Sequence, residues 1–125
     1  MTGLYKREDM IVKKMLFIYN PNAGTGTLKP RLSDVIDVFT KAGYEVTVHP
    51  TQKYHDGTEK MESCPDGYDL IVCSGGDGTL DEVVTGMRKR SYKSPLGYIP
   101  AGTTNDFVAS LGITKDIIGA ALSLI

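Results

Sequence analysis

The sequence predicts an α/β domain, a parallel sheet with helices on both faces. Short apolar runs alternate with stretches whose apolar residues recur at helical spacing. The connections between them are short, as in successive βαβ units. The glycine-bearing loops follow the strands rather than the helices.

The elements follow in order. KKMLFIYN, from Lys13 to Asn20, is an apolar run closed by Asn-Pro and suits a buried parallel strand. The loop PNAGTGT comes next, and Leu32, Val35, Ile36 and Phe39 then mark a helix with Pro30 in its first turn and Gly43 at its end. YEVTVHP alternates as a second strand. TQKYHDGTEKMESCPDG is polar and gives only a short helix, around Thr58 to Ser63. YDLIVCS is the clearest strand, and Leu80, Val83, Val84 and Met87 predict the helix after it. PLGYIP is a fourth strand, AGTTND a loop, and FVASLG and KDIIGAALSLI two further helices.

A chain of 125 residues is long enough to bury one core. Hydrophobic residues at 41% and charged residues at 23% exclude a disordered chain. A formal net charge of -1 gives no electrostatic footprint for nucleic acid. The basic cluster MRKRSYK is read as a solvated helix end. Cys64 and Cys73 form neither a disulfide framework nor a metal motif, and Cys73 is expected to be a buried free thiol. The first fifteen residues carry charges where a signal peptide needs an apolar core, and MLFIY is too short to span a bilayer. A cytoplasmic domain is therefore expected, with residues 1–13 as an N-terminal extension to a domain over 14–125. The apolar ending LSLI predicts a further element or domain to cover Leu122, Leu124 and Ile125.

Function is predicted at the carboxyl ends of the strands, where open parallel sheets bind ligands. NPNAGTG, PT, SGGDGT and PAGTTND all lie there and should converge on one edge. In SGGDGT the glycines let a ligand approach the backbone. From Gly78 onward a helix opens whose first N–H groups favour phosphate. Asp77 beside phosphate makes sense with Mg²⁺ between the two, since that ion takes one or two carboxylates plus phosphate oxygens. Thr79 adds a hydroxyl donor, and the loop reads as a magnesium nucleotide site. Taken singly, the motifs have plainer readings. NPNAG can be an Asn-Pro turn, Asp106 a helix cap, and Asp81 and Glu82 partners of the helix dipole. No GxxxxGK[ST] and no GxGxxG opening the first helix is present. Neither His49 nor His55 has the spaced acid and nucleophile of a triad.

NPNAG, GGDGTLDEVV and PAGTTNDFVASLGI, in this order and spacing, resemble the diacylglycerol kinase catalytic domain, in particular the soluble bacterial lipid kinases related to sphingosine and ceramide kinases. The resemblance runs from Lys14 to Ile125; the GGDG loop alone would also fit phosphofructokinases and NAD kinases. It implies ATP-dependent phosphorylation of a lipid hydroxyl at the membrane surface by a cytoplasmic, peripheral enzyme. Asn20, Pro21, Asn22, Ala23 and Gly24 would line the nucleotide, with Thr51 near it. Gly75, Gly76, Asp77, Gly78, Thr79 and Asp81 would embrace the phosphates, and Thr103 would contact them or the ribose. Asp77 and Asp106 would organise Mg²⁺ through water, and in the sphingosine-kinase branch the acid matching Asp77 is also cast as the catalytic base. Ala23 stands where the family commonly has serine, and Asp81 where it often has asparagine. The segment 51–67 is shorter than expected. Family members continue into a β-rich second domain that supplies the favoured general base and much of the lipid site. The resemblance therefore implies that this chain alone binds nucleotide but turns over little. Two rival readings are an NAD kinase-like enzyme and a non-catalytic nucleotide-binding or interaction module, for which a homodimer would speak.

Overall fold

A computed structural model of the chain describes residues 12–23 and 32–100. In order these form β1 (Lys13–Tyr19), α1 (Leu32–Lys41), β2 (Tyr44–Pro50), α2 (Asp56–Ser63), β3 (Leu70–Gly75), α3 (Asp77–Lys89) and β4 (Leu96–Pro100). Residues 1–11 of the expected extension, Pro30, Gly24, Thr103, Asp106 and the two helices after Pro100 lie outside the described residues, while Lys13, placed in the extension, already belongs to β1.

All four strands are parallel, in the order β2-β1-β3-β4. From β1 the chain steps outward to β2, then crosses back to β3 and continues to β4. Right-handed crossovers then require α1 on one face and α2 and α3 on the other. The core divides accordingly. Met15, Phe17 and Tyr19 pack with Val35, Val38 and Phe39 of α1, whereas Leu16 and Ile18 pack with Met61 of α2 and Val83 and Met87 of α3. Successive strand side chains point to opposite faces, so β1 must be apolar at every position once both faces are covered. That is why MLFIY is unbroken. The edge strand β2 covers only the α1 face, with Tyr44, Val46 and Val48, and keeps the expected alternation. Helix α1 ends at Gly43, whose φ of +99° places it in the left-handed conformation that stops helices.

Helix α2 begins two residues earlier than its periodicity predicts. The reason is tertiary. Glu82, on α3, accepts the His55 N–H through Oε2 at 3.1 Å and the Gly57 N–H through Oε1 at 3.0 Å. It thus satisfies donors at the start of α2 that no side chain of α2 itself caps. Glu82 serves the neighbouring helix rather than only the dipole of its own. The basic cluster also needs correction: Arg90 is half-buried and donates to the carbonyls of Met61, at 2.9 Å, and Cys64, with Asp66 as its ion pair at 2.8 Å. It fastens the α2–β3 connection to the end of α3.

His49 has an acid partner that its spacing did not reveal. Its Nε2 lies 3.2 Å from both carboxylate oxygens of Asp56, and Asp56 Oδ2 also accepts the Gln52 N–H at 2.6 Å. Burial alone would raise the Asp56 carboxyl, but the Gln52 amide and the His49 imidazole favour its charged form and hold it below the usual carboxylate range. A depressed carboxyl stabilises the fold fully above its unfolded pKa and loses that contribution as pH falls through the folded value. Asp56→Asn is therefore expected to lower stability at neutral pH and to flatten its decline in acid, read as urea midpoints along a pH series. An acid limb as steep as that of the unmodified chain would contradict the assignment.

Candidate functional site

The strand ends meet at one level. Tyr19 pairs with Pro50 on one side and Ser74 on the other. Asn20 donates its N–H to the Ser74 carbonyl at 3.0 Å, and Thr51 donates its N–H to the Tyr19 carbonyl at 2.8 Å. Asn20, Thr51 and Gly75 therefore lie side by side along the carboxyl edge. Between β1 and β3 the strand order reverses, so the chain leaves β1 toward one face and β3 toward the other. Such a switch point opens the crevice in which doubly wound sheets bind ligands. Three of the four expected loops are brought together there; the fourth, after Pro100, lies outside the described residues.

The β1 loop is a self-supporting turn. The Asn20 side chain accepts the Asn22 N–H through Oδ1 at 2.9 Å, and the Asn20 carbonyl accepts the Ala23 N–H at 3.2 Å. Asn is needed here because its short side chain copies a backbone turn. The stretch Asn20–Ala23 is thus a turn, and it stands at the carboxyl edge of the sheet.

The β3 loop separates its glycines by purpose. A Cβ on Gly75 would lie 2.5 Å from Thr79 Oγ1 and 2.8 Å from Thr79 Cβ. Gly75 is therefore small because Thr79, itself buried, packs back over it. Thr79 is thus turned inward as a prop of the loop. Gly76 and Gly78 differ. Among the described residues a Cβ on either would meet no atom within 4 Å, and neither has a positive φ. Both are exposed. Neither packing nor backbone conformation requires glycine at these two positions.

Helix α3 starts at Asp77, one residue earlier than expected, with Gly76 as its N-cap and no side chain capping it. Its first N–H groups thus face the crevice, carrying the partial positive charge of a helix start. The Asp77 side chain is exposed, and among the described residues no hydrogen bond or ion pair engages its carboxylate. Asp81 is exposed one turn later on the same helix. Among the described residues no group of three or more His, Cys, Asp or Glu could hold a metal by itself. Cys73 is fully buried, and burial pushes its thiol up to about 12, so it offers no thiolate.

Tyr98 is a site residue that the sequence reading missed. From β4 its hydroxyl donates to the Gly75 carbonyl at 2.9 Å. Burial, then the charge on Asp77, raises the Tyr98 hydroxyl above its ordinary value, so it remains a donor. Tyr98→Phe is expected to loosen the β3 loop and weaken ligand binding several-fold, with little change in melting temperature; calorimetry and thermal denaturation check both. Only its position on a strand beside a glycine loop could have signalled the role.

The family model for the diacylglycerol kinase catalytic domain matches residues 14–125. The chain belongs to this family. Among curated relatives, the diacylglycerol kinase of Staphylococcus aureus (strain JH9) is 42% identical over 109 residues, which cover 86% of this chain and 35% of the relative. A crystal structure of a diacylglycerol kinase from Bacillus anthracis str. Sterne superposes with a TM-score of 0.64 at 33% identity, covering 81% of this chain and 38% of that one. A second solved structure from that organism gives a TM-score of 0.66 at 34% identity over 87% of this chain and 38% of its own. The chain thus spans about a third of the length of these diacylglycerol kinases, and the sheet with its carboxyl-edge loops falls within that third. Among the described residues, no helix is long and apolar enough to cross a membrane.

Proposed function

We propose that this chain is the ATP- and Mg²⁺-binding domain of a lipid kinase that phosphorylates diacylglycerol or a related lipid hydroxyl. The observation that carries the reading is the pair Gly76 and Gly78, glycines that neither packing nor backbone conformation requires among the described residues, on either side of a carboxylate that no described residue engages. Their bare backbone lets phosphate oxygens reach the first N–H groups of α3. In this reading Asn20 to Ala23 line the nucleotide from β1, with Gly24, outside the described residues, after them, and Thr51 lies near it from β2. Thr103, outside the described residues, would complete the phosphate or ribose contacts. Asp77, with Asp106 from outside the described residues, would hold Mg²⁺ through water, and that ion would supply charge neutralisation at the phosphates. Asp81 would lie beside the phosphates one turn further along α3. Phosphoryl transfer rests on positioning and electrostatic stabilisation, for which this edge supplies the donor half. The acceptor half, with general base and lipid site, belongs to a second domain in this reading, consistent with curated relatives of which the matched residues cover 35%. The enzyme would act in the cytoplasm, at the membrane surface where its lipid lies.

The test is a phosphorylation assay with labelled ATP and diacylglycerol in mixed micelles, run beside ATP binding. The 125-residue chain is expected to bind MgATP and to form no phosphatidate above background. Robust lipid phosphorylation by the chain alone would contradict the division between two domains. A stable dimer that binds nucleotide, with no lipid phosphorylation by the longer protein, would favour the non-catalytic module.

A further inference from the structure

We propose that Tyr54, backed by His55, is the platform on which the base of the bound nucleotide stacks. The inference rests on the nucleotide reading and extends it to the part of the ligand that the glycine loop cannot recognise. Tyr54 is 79% exposed, the most exposed large apolar side chain among the described residues. Its ring lies 3.8 Å from that of His55, tilted by 47°, so one neighbour steadies it while much of its surface stays open. An open aromatic ring on a rigid support is what a purine needs for stacking.

The support is built. His55 has φ of +69°, a left-handed conformation sparsely populated by residues other than glycine. Its N–H is held by Glu82 at 3.1 Å, and its carbonyl accepts the Glu59 N–H at 3.0 Å. Backbone strain fixed by its surroundings gathers at ligand sites. Below it, the Gln52–Asp56 and His49–Asp56 bonds close the base of the same turn.

The position fits as well. Tyr54 follows Pro50, the last residue of β2, by four positions, and Thr51 in the same loop donates its N–H to the Tyr19 carbonyl at the carboxyl edge. His55 is tied through its N–H to Glu82 of α3, the helix that opens at the β3 turn. Tyr54 thus lies in the loop that leaves the same edge as the phosphate turn.

The chain contains no tryptophan, so Tyr54→Trp introduces a single emitter at the site. ATP and inorganic tripolyphosphate, each with Mg²⁺, are titrated against the unmodified chain, Tyr54→Ala and Tyr54→Trp, with circular dichroism to verify folding. The unmodified chain is expected to favour ATP over tripolyphosphate about tenfold or more. Tyr54→Ala should bring ATP down to the tripolyphosphate level while leaving tripolyphosphate unchanged. Tyr54→Trp should keep the preference, and its emission should be quenched by ATP and not by tripolyphosphate. A preference for ATP that survives Tyr54→Ala overturns the proposal, and so does an emission indifferent to ATP. Loss of binding to phosphatidylglycerol vesicles in Tyr54→Ala, with the ATP preference intact, would assign the ring to the membrane instead. If the unmodified chain binds neither ligand, the nucleotide reading itself fails and the platform with it.

Discussion

Replacing Gly76 and Gly78 together by alanine is expected to leave the domain folded and close to its original stability while lowering MgATP affinity at least tenfold. Stability should hold because both added methyl groups enter open space. Gly78 lies inside α3, where alanine is favoured over glycine by about 1 kcal/mol, offsetting the ~0.5–1 kcal/mol lost at the N-cap. Binding should fall because each methyl group occupies the approach to an N–H that phosphate needs. Thermal denaturation and calorimetric titration of one sample read both effects. A variant that melts normally and binds MgATP as tightly as before would mean that the two glycines leave room for nothing.

Gly86→Val is expected to have the opposite profile: a large loss of stability and, where the protein still folds, an intact phosphate loop. A Cβ at Gly86 would lie 2.7 Å from Met61 Cβ and 2.7 Å from the Thr58 carbonyl oxygen. Neither is the free end of a flexible side chain, so α2 would have to move off α3. Forcing extra carbon into such a contact costs about 1–3 kcal/mol, and here the shift also pulls α2 away from its Glu82 cap, which should bring the loss to the upper end of that range. Urea denaturation of the variant against the unmodified chain measures it. A midpoint unchanged within error would contradict the close helix contact.

The contrast between these glycines marks how far the sequence could be read. The parallel sheet, its helices on both faces and the convergence of loops were legible, because burial leaves a mark on each strand's own residues. MLFIY is apolar at every position since β1 is covered on both sides; YEVTVHP alternates since β2 covers one. Contacts between distant segments leave no such mark. The Glu82 cap spans 27 residues to His55, the Tyr98 hydroxyl spans 23 to Gly75, and Arg90 reaches 26 back to Cys64. His49 and Asp56 are only seven apart, yet a strand end and a helix start bring them together in a way no period predicts. Gly75 and Gly76 are adjacent in sequence, and only the position of Thr79 shows that one serves packing and the other is open. At the β3 turn the glycine cluster was legible as a turn between a strand and a helix; which of its glycines serves packing was not.

The measurement that reaches the central claim most directly is the calorimetric titration of ATP against the chain with and without Mg²⁺, beside Asp77→Ala. The exposed Asp77 carboxylate takes part in no bond among the described residues, so its removal should leave the melting temperature unchanged. The account predicts magnesium-dependent binding that Asp77→Ala weakens at least tenfold, while binding without Mg²⁺ stays weak in both. Equal affinity of the two proteins for MgATP would contradict it.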